Sequence, residues 1–129
     1  MMPIEYHIDH GRRLVLASAR GKLTAEDFFI YKRNVWSLPE VRGFNELVDA
    51  SKIEEISSIT IEKISELAKL SANMDDTTIA TKLAILTSDT FHYGLGRLYE
   101  VFRNMNPRST KKVGVFRTMQ EAIDWLEEK

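Results

Sequence analysis

The sequence predicts a single α/β domain, spanning residues 1–129, with a mixed, mostly parallel sheet of five strands and about four helices. Three observations lead to this fold class. Short segments rich in β-branched and aromatic residues alternate with longer segments of helical periodicity, the length suits one domain, and no repeat or linker divides the chain. Strands that alternate with helices need crossover connections, which are nearly always right-handed. The later strands should therefore be parallel, with the first strand antiparallel.

The chain opens with a predicted β-hairpin. Its first strand has a period of two, because Ile4, Tyr6 and Ile8 alternate with polar residues. A turn at His10 and Gly11 separates this strand from a second apolar run, which has the composition of a partner strand. The two segments should therefore pair before the first helix begins.

Capping residues and helical spacing place the first helix. Thr24 stands three residues before Asp27, so the threonine can cap the helix while the aspartate returns a hydrogen bond to the backbone. Apolar and aromatic residues then recur at helical spacing as far as Trp36. The helix should end before Pro39, because proline disfavours helical backbone in the residue before it.

Three more strands and three more helices follow in alternation. The segment FNELVDAS is the predicted third strand, and KIEEISS leads from it to a second helix capped by Ser58 or Thr60. ATKLAILTS is the fourth strand, DTFHYGLGRLYEVFRNM the third helix and KKVGVF the fifth strand. The last helix should begin at Thr118, which can form a capping box with Glu121.

Composition argues against several classes of function. The chain has 18 basic and 19 acidic residues and a net charge of -1, with no block of one sign, so we expect no nucleic-acid partner. It contains no cysteine, which removes disulfides, thiol catalysis and thiolate metal sites. The first residues carry charges and lack a long apolar run, so we expect no signal peptide, no integral membrane segment and a cytoplasmic location.

Residues with catalytic or metal-binding chemistry form no recognised motif. His7 and His10 belong to the hairpin and His92 to the third helix, and none stands in an HExxH-type arrangement. The chain has no GxSxG nucleophile elbow, and its paired acidic residues lie in predicted loops, where carboxylates commonly cap or solvate. We therefore expect no catalytic residue, no metal, no cofactor and no enzymatic activity.

The third helix contains two glycines, at positions 94 and 96, each of which costs a helix about 0.8–1 kcal/mol relative to alanine. A dinucleotide-binding loop is a poor explanation, since a full helical turn separates the strand from the first glycine and no third glycine follows. On a helical wheel one arc predicts the core face, with Gly94 at its border, so Gly94 should serve close packing. That arc contains Phe91, Leu95, Leu98, Phe102 and Met105.

A second stripe of the same helix is the candidate binding surface. Gly96 falls in this stripe with His92, Tyr99 and Arg103. A glycine flanked by aromatic and cationic side chains would leave a shallow notch with hydrogen-bond donors at its edge, suited to an anionic or amphipathic ligand or to a partner protein. The stripe therefore predicts a ligand- or partner-binding site.

Three segments follow one another in the chain: IEYHIDHGRRLVLASARGKLTAEDF, FNELVDAS and SDTFHYGLGRLYEVFR. In this order they resemble the SpoIIAA-like family of small bacterial proteins, which is allied to STAS domains and to CRAL-TRIO lipid carriers. The resemblance spans nearly the whole chain. It implies one SpoIIAA/STAS-like domain with an antiparallel first strand. STAS domains related to sporulation regulators are anti-sigma-factor antagonists that are switched by phosphorylation of a serine at the start of a helix.

The resemblance makes Ser58 the nearest match to the switch serine, with the neighbouring Ser57 as a second candidate for phosphorylation. Ser57 stands where those regulators place an aspartate and Thr60 where they place a glycine, so the motif is degraded and a plain capping role for Ser58 is favoured. We expect a non-enzymatic regulatory or binding module that acts through protein contacts and self-associates as a homodimer. The alternative is a small carrier of a lipid or other amphipathic ligand, held in a groove beside the third helix.

Overall fold

A five-stranded sheet forms the centre of the protein, seen in a computed structural model that describes residues 3–128. The strands lie in chain order: β1 (Ile4–Asp9), β2 (Leu14–Thr24), β3 (Asn45–Ser57), β4 (Thr81–Leu86) and β5 (Lys111–Phe116). β1 is antiparallel to β2, and every later neighbour is parallel. The predicted α/β class, the mixed sheet and the antiparallel first strand are confirmed.

Four helices connect or follow these strands: α1 (Ala25–Trp36), α2 (Ile61–Met74), α3 (Thr90–Met105) and α4 (Met119–Glu127). The predicted caps of α1 and α4 are confirmed. Thr24 forms the capping box of α1 with Asp27, and Thr118 caps α4 by accepting from the backbone of Glu121. α1 ends before Pro39, which begins a short 3-10 turn. Within residues 3–128, no helix has the length and apolar character needed to cross a bilayer.

Helices cover both faces of the sheet. α4 packs on one face, where Ala122 and Leu126 contact Leu14, Leu47 and Ala84. The helices α1, α2 and α3 lie together on the opposite face, where the core around α1 includes Tyr31 and Val35 together with β2 and β3 residues. Because neighbouring residues of a strand point to opposite faces, Leu47 packs on the α4 side of the sheet and its neighbour Val48 packs on the opposite side.

β2 and β3 are longer than the sequence predicts. The segment KIEEISS is mostly β3 itself and not a lead-in to α2. β4 ends at Leu86, opposite Asp49, whereas β3 continues to Ser57 by pairing with β2 alone. Irregularities in β2 on either side of Arg20 and Gly21 accommodate this extension, and Gly21 has a φ of +68°, which glycine tolerates. A two-stranded ribbon therefore projects beyond the rest of the sheet.

The start of α2 differs from one predicted alternative. Thr60 is the N-cap, and its hydroxyl accepts from the backbone N–H of Lys63 at 3.1 Å. Ser58 lies two residues earlier, in a turn where its φ is +61°. The capping role expected for Ser58 was therefore wrong, because the strand continues through Ser57 and the chain needs a tight turn before the helix can begin.

Candidate functional site

The buried face of α3 is the stripe that the sequence assigned to ligand or partner contact. His92 is 8% exposed and Arg103 is fully buried, whereas Phe91 is 64% exposed and Met105 is 73% exposed. The predicted core face of α3 was therefore wrong by about a third of a helical turn. The apolar arc lies at the flank and surface, and the mixed polar stripe faces the sheet.

The packing roles of the two glycines are also the reverse of the prediction. A Cβ on Gly96 would lie 3.1 Å from Cγ1 and 3.3 Å from Cγ2 of Val115, on β5. A Cβ on Gly94 would meet no atom within 4 Å. Gly96 is therefore the position at which α3 approaches the sheet closely, and the notch predicted there is filled by Val115.

This difference predicts opposite effects for two matched substitutions. Gly94→Ala is expected to raise the free energy of unfolding by about 0.5–1 kcal/mol, because alanine favours the helix and meets no neighbour. Gly96→Ala is expected to lower it by about 1–2 kcal/mol, since overpacking against Val115 outweighs the same helical gain. Urea denaturation of both variants measures the two effects, and stabilisation by Gly96→Ala would contradict the close approach.

Arg103 is a structural centre at the end of α3. Its guanidinium donates to Asp75 Oδ2 at 2.5 Å, to the Tyr99 hydroxyl at 2.7 Å and to Ser109 Oγ at 3.0 Å. Asp75 Oδ2 also accepts from the backbone N–H of Thr110 at 2.9 Å. Arg103 therefore joins the end of α2 to the start of β5, and its donors are not directed at the predicted notch.

An apolar cavity lies between the sheet and the three helices that share its face. The cavity measures about 130 Å³ and is open to solvent on one side. Isoleucines from β3, its following loop, α2 and β4 form much of its wall: Ile53, Ile56, Ile59, Ile64 and Ile85. Three of the four predicted binding residues also line it, namely His92, Gly96 and Tyr99. Arg103 lies outside it.

His92 is held at the cavity by Asp89, the N-cap of α3. Asp89 accepts from the backbone N–H of His92 at 2.8 Å, and its other oxygen lies 2.6 Å from Nδ1 of the ring. These two hydrogen bonds hold the pKa of Asp89 below its usual range, so the carboxylate is ionised and Nδ1–H donates to it. The remaining ring nitrogen, Nε2, is buried and has no hydrogen-bond partner within residues 3–128.

Ser71 provides a second unpartnered polar atom in the cavity wall. Its side chain, on α2, is 0% exposed, and its Oγ has no partner among the residues that the structure describes. Buried polar atoms are nearly always hydrogen-bonded, so an unpartnered one points to a missing water, ion or ligand. The residues that line the cavity therefore combine apolar side chains with two buried polar atoms that have no hydrogen-bond partner within residues 3–128.

A buried cluster of charges lies beside the cavity. Glu46 accepts from the Tyr31 hydroxyl at 2.7 Å, from Trp36 Nε1 at 3.0 Å and from Lys111 Nζ at 3.1 Å. Burial alone would raise the pKa of Glu46, but Lys111, Lys32 and the Tyr31 hydroxyl lower it to about 2. Glu46 is thus a carboxylate that several donors stabilise.

The phosphorylation candidates lie away from this cluster. Ser57 ends β3, and its hydroxyl donates to the backbone carbonyl of Leu23 at 3.3 Å. Ser58 is exposed in the turn that follows. Neither lines the cavity, although the next residue, Ile59, does. Phosphorylation of Ser57 or Ser58 stays a prediction.

Some features of the site have no clear signal in the sequence. The spacing of Asp89 and His92 fits an N-cap that also contacts a side chain in the first turn, and could have identified that pair. Ser71 and Lys32 resemble ordinary polar residues of amphipathic helices, and only the tertiary structure buries them. Within residues 3–128, no three His, Asp or Glu side chains lie close enough to hold a metal ion.

Comparison with known proteins supports the fold. No protein-family model and no curated protein matches the chain. A similar solved structure is the crystal structure of an uncharacterized protein of the DUF3478 family, with a SpoIIAA-like fold, from Shewanella loihica PV-4. The TM-score is 0.64 and the sequence identity 18%, over 98% of this chain and 95% of that chain. The protein therefore has the SpoIIAA-like fold that the sequence resemblance implied.

Proposed function

We propose that this protein binds a small, largely apolar molecule carrying a hydrogen-bonding group, in the cavity between the sheet and the helices α1, α2 and α3. One observation carries the proposal: an apolar cavity whose wall contains two buried polar atoms without partners, His92 Nε2 and Ser71 Oγ. Sites for small molecules typically combine an apolar lining with a few placed polar groups. The proposal is the small-ligand alternative raised by the sequence.

The size of the cavity limits the ligand. An apolar cavity of about 150 Å³ holds a benzene molecule. A cavity of about 130 Å³ with an open side therefore suits a ring or short branched chain of roughly six to nine non-hydrogen atoms. A whole lipid is too large for it, and only one end of a longer amphipathic molecule would enter.

His92 defines one polar contact of the proposed ligand. Because Nδ1 is engaged by Asp89, Nε2 is the ring nitrogen left for the ligand, and as an acceptor it suits a ligand O–H or N–H group. No hydroxyl or amine of the described residues donates to Nε2, so the histidine is not paired with a nucleophile. We therefore propose binding without turnover, and we place it in the cytoplasm, since a chain without cysteine requires no oxidising compartment.

Filling the cavity is expected to weaken ligand binding strongly. Benzyl alcohol is a suitable neutral probe, because it offers an apolar ring and one O–H group. Ala50→Leu adds bulk from β3 into the cavity and should weaken benzyl alcohol binding about tenfold or more, measured by calorimetric titration. Ala80→Leu makes the same chemical change at an exposed position and should leave binding unchanged.

Circular dichroism and thermal melting of both variants show whether the fold is kept. Equal binding by the parent and a folded Ala50→Leu protein would place the probe elsewhere and contradict the proposal. Failure of the parent to bind any small apolar probe at millimolar concentration would contradict it as well.

A second candidate function is the regulatory module that self-associates through protein contacts. The observation that favours it is the apolar flank of α3, where Phe91, Val101 and Met105 are largely exposed. Phe91 and Met105 lie 14 residues apart, or roughly 21 Å along the helix, which is long enough for a helix-to-helix contact with a second copy.

Sedimentation velocity tests the self-association. The double variant Phe91→Ser, Met105→Ser should be monomeric at concentrations where the parent dimerises. The control variant Ile30→Ser, at an exposed position of α1, should dimerise as the parent does. A parent that stays monomeric at about 100 μM would rule out a homodimer of ordinary strength through this flank.

A further inference from the structure

The two ends of the cavity differ in their chemistry. α1, α2 and α3 each follow a parallel strand and return toward the start of the next one, so residues late in these helices lie with the first residues of β3 and β4. Ser71, Lys32 and Tyr99 therefore lie with Glu46 at one end of the cavity, and all four residues line it. We call this the deep end of the cavity. His92, early in α3, belongs to the opposite end.

The buried charges around this deep end do not balance. Three cations are buried there, Lys32 and Lys111 at 5% exposure each and Arg103 at 0%. Arg103 is paired with Asp75 and Lys111 with Glu46, and these two carboxylate side chains are 3% and 2% exposed. Lys32 forms no ion pair with any residue in the range 3–128, so a protonated Lys32 leaves the cluster with one positive charge in excess.

A charged ammonium on a side chain of such low exposure, with no ion-pair partner, is costly. Two groups partly offset this cost. The ring centroid of Trp36 lies 5.0 Å from Lys32 Nζ, and the negative charge of Glu46 attracts the ammonium, although Glu46 is already paired with Lys111. Burial lowers the pKa of Lys32, and Glu46 opposes that change only in part. A bound anion would supply the missing charge.

We propose that the deep end of the cavity receives the carboxylate of a small apolar monocarboxylic acid, paired with the Lys32 ammonium and hydrogen-bonded by the Ser71 hydroxyl, while the apolar part lies among the isoleucines. This rests on the proposed function and adds the class of ligand. Lys32 and Ser71 are both donors, which suits a carboxylate. One excess charge matches a monoanion, whereas a phosphate dianion would leave a negative charge buried.

Lys32 also borders a second cavity, of about 250 Å³, which includes Trp36, Lys111 and Arg42. A small anion could reach the ammonium from that side without using the apolar wall. The test must therefore separate an anion with an apolar part from one without it. Benzoate and formate provide that comparison, and benzamide provides a neutral molecule of the same shape as benzoate.

Calorimetric titration at pH 7 is the experiment. The parent should bind benzoate about tenfold or more tightly than benzamide, because charge-assisted hydrogen bonds are stronger than neutral ones, and it should bind formate at least about tenfold more weakly than benzoate. Lys32→Met should remove the preference for benzoate and keep the affinity for benzamide. Lys69→Met, an exposed lysine on α2, should change neither. Ser71→Ala should weaken benzoate several-fold.

Each contrary outcome has a distinct meaning. Equal affinity of the parent for benzoate and benzamide would overturn the carboxylate site and leave the proposed function in place. Formate binding as tightly as benzoate would overturn it too, since the anion would then lie in the second cavity. Retention of the benzoate preference in folded Lys32→Met protein would remove Lys32 from the site. Failure of benzoate, benzamide and benzyl alcohol alike would overturn the proposed function itself.

Discussion

Arg103→Met is expected to lower the free energy of unfolding by about 3–5 kcal/mol, because the substitution leaves the Asp75 carboxylate buried without its charged partner. The side chain of Arg103 is 0% exposed and that of Asp75 is 3% exposed, so water cannot replace the lost contact without local opening. The variant also removes donors from the Tyr99 hydroxyl and Ser109. Such a loss is a large fraction of the 5–15 kcal/mol that typically holds a domain folded.

Arg97→Met is the matched control on the same helix. The Arg97 side chain is 55% exposed and lies 3.6 Å from Glu100, so its removal should cost less than about 1 kcal/mol. Urea denaturation of both variants gives the comparison. A difference of under about 1 kcal/mol between them would mean that the contacts of Arg103 with Asp75 contribute little.

Glu46→Leu should be comparably destabilising, by about 3–5 kcal/mol, because it leaves the buried Lys111 without its ion-pair partner and removes the negative field that acts on the buried Lys32. It also removes the acceptor of Tyr31 and Trp36. The cost should fall in the double variant Glu46→Leu, Lys111→Met, in which one of those lysines is gone as well. A double-mutant cycle measures the coupling, and strict additivity of the two single costs would contradict a direct interaction.

The same carboxylate predicts a dependence of stability on pH. The folded pKa of Glu46 is about 2, below the ordinary value of 4.5 that applies in the unfolded chain. The unfolded state therefore binds the proton first, so this contribution is complete above about pH 4.5 and is lost as the pH falls toward 2. In Glu46→Gln this part of the acid-induced loss should be absent. An unchanged acid profile in that variant would contradict the lowered pKa.

α3 shows where hydrophobic periodicity fails as a guide. The apolar arc of its wheel is real, but the sheet-facing side consists of His92, Gly96, Tyr99 and Arg103. Each polar member of that side has a specific partner, and the glycine permits a close approach to Val115. A periodicity argument considers apolar side chains alone, so it places a face whose polar residues are held by specific hydrogen bonds at the surface.

The order of the elements was predictable because local signals decide it. Thr24, Asp89 and Thr118 start helices through contacts within three residues, and these contacts need no tertiary structure. The length of β3 was not predictable in the same way. Its final residues pair with β2 alone, and that pairing depends on the irregularities in β2 on either side of Arg20 and Gly21, which only the folded sheet reveals.

The candidate site could be predicted only in part. His92, Gly96 and Tyr99 do line the cavity, but as members of a buried wall and not of an exposed notch. Lys32 and Ser71 have the sequence character of solvent-facing helix residues. Their burial results from the packing of α1 and α2 against the sheet and α3, a long-range arrangement that local sequence does not encode.

The most direct test of the proposed cavity is an NMR titration of protein labelled at its isoleucine methyl groups. Five isoleucines line the cavity: Ile53, Ile56, Ile59, Ile64 and Ile85. Six lie elsewhere and serve as internal controls: Ile4, Ile8, Ile30, Ile61, Ile79 and Ile123. Saturable shifts on adding benzyl alcohol, confined to the first group and accompanied by ligand-to-methyl NOEs, are the result that the cavity predicts. Shifts confined to the second group, or none in either, would contradict it.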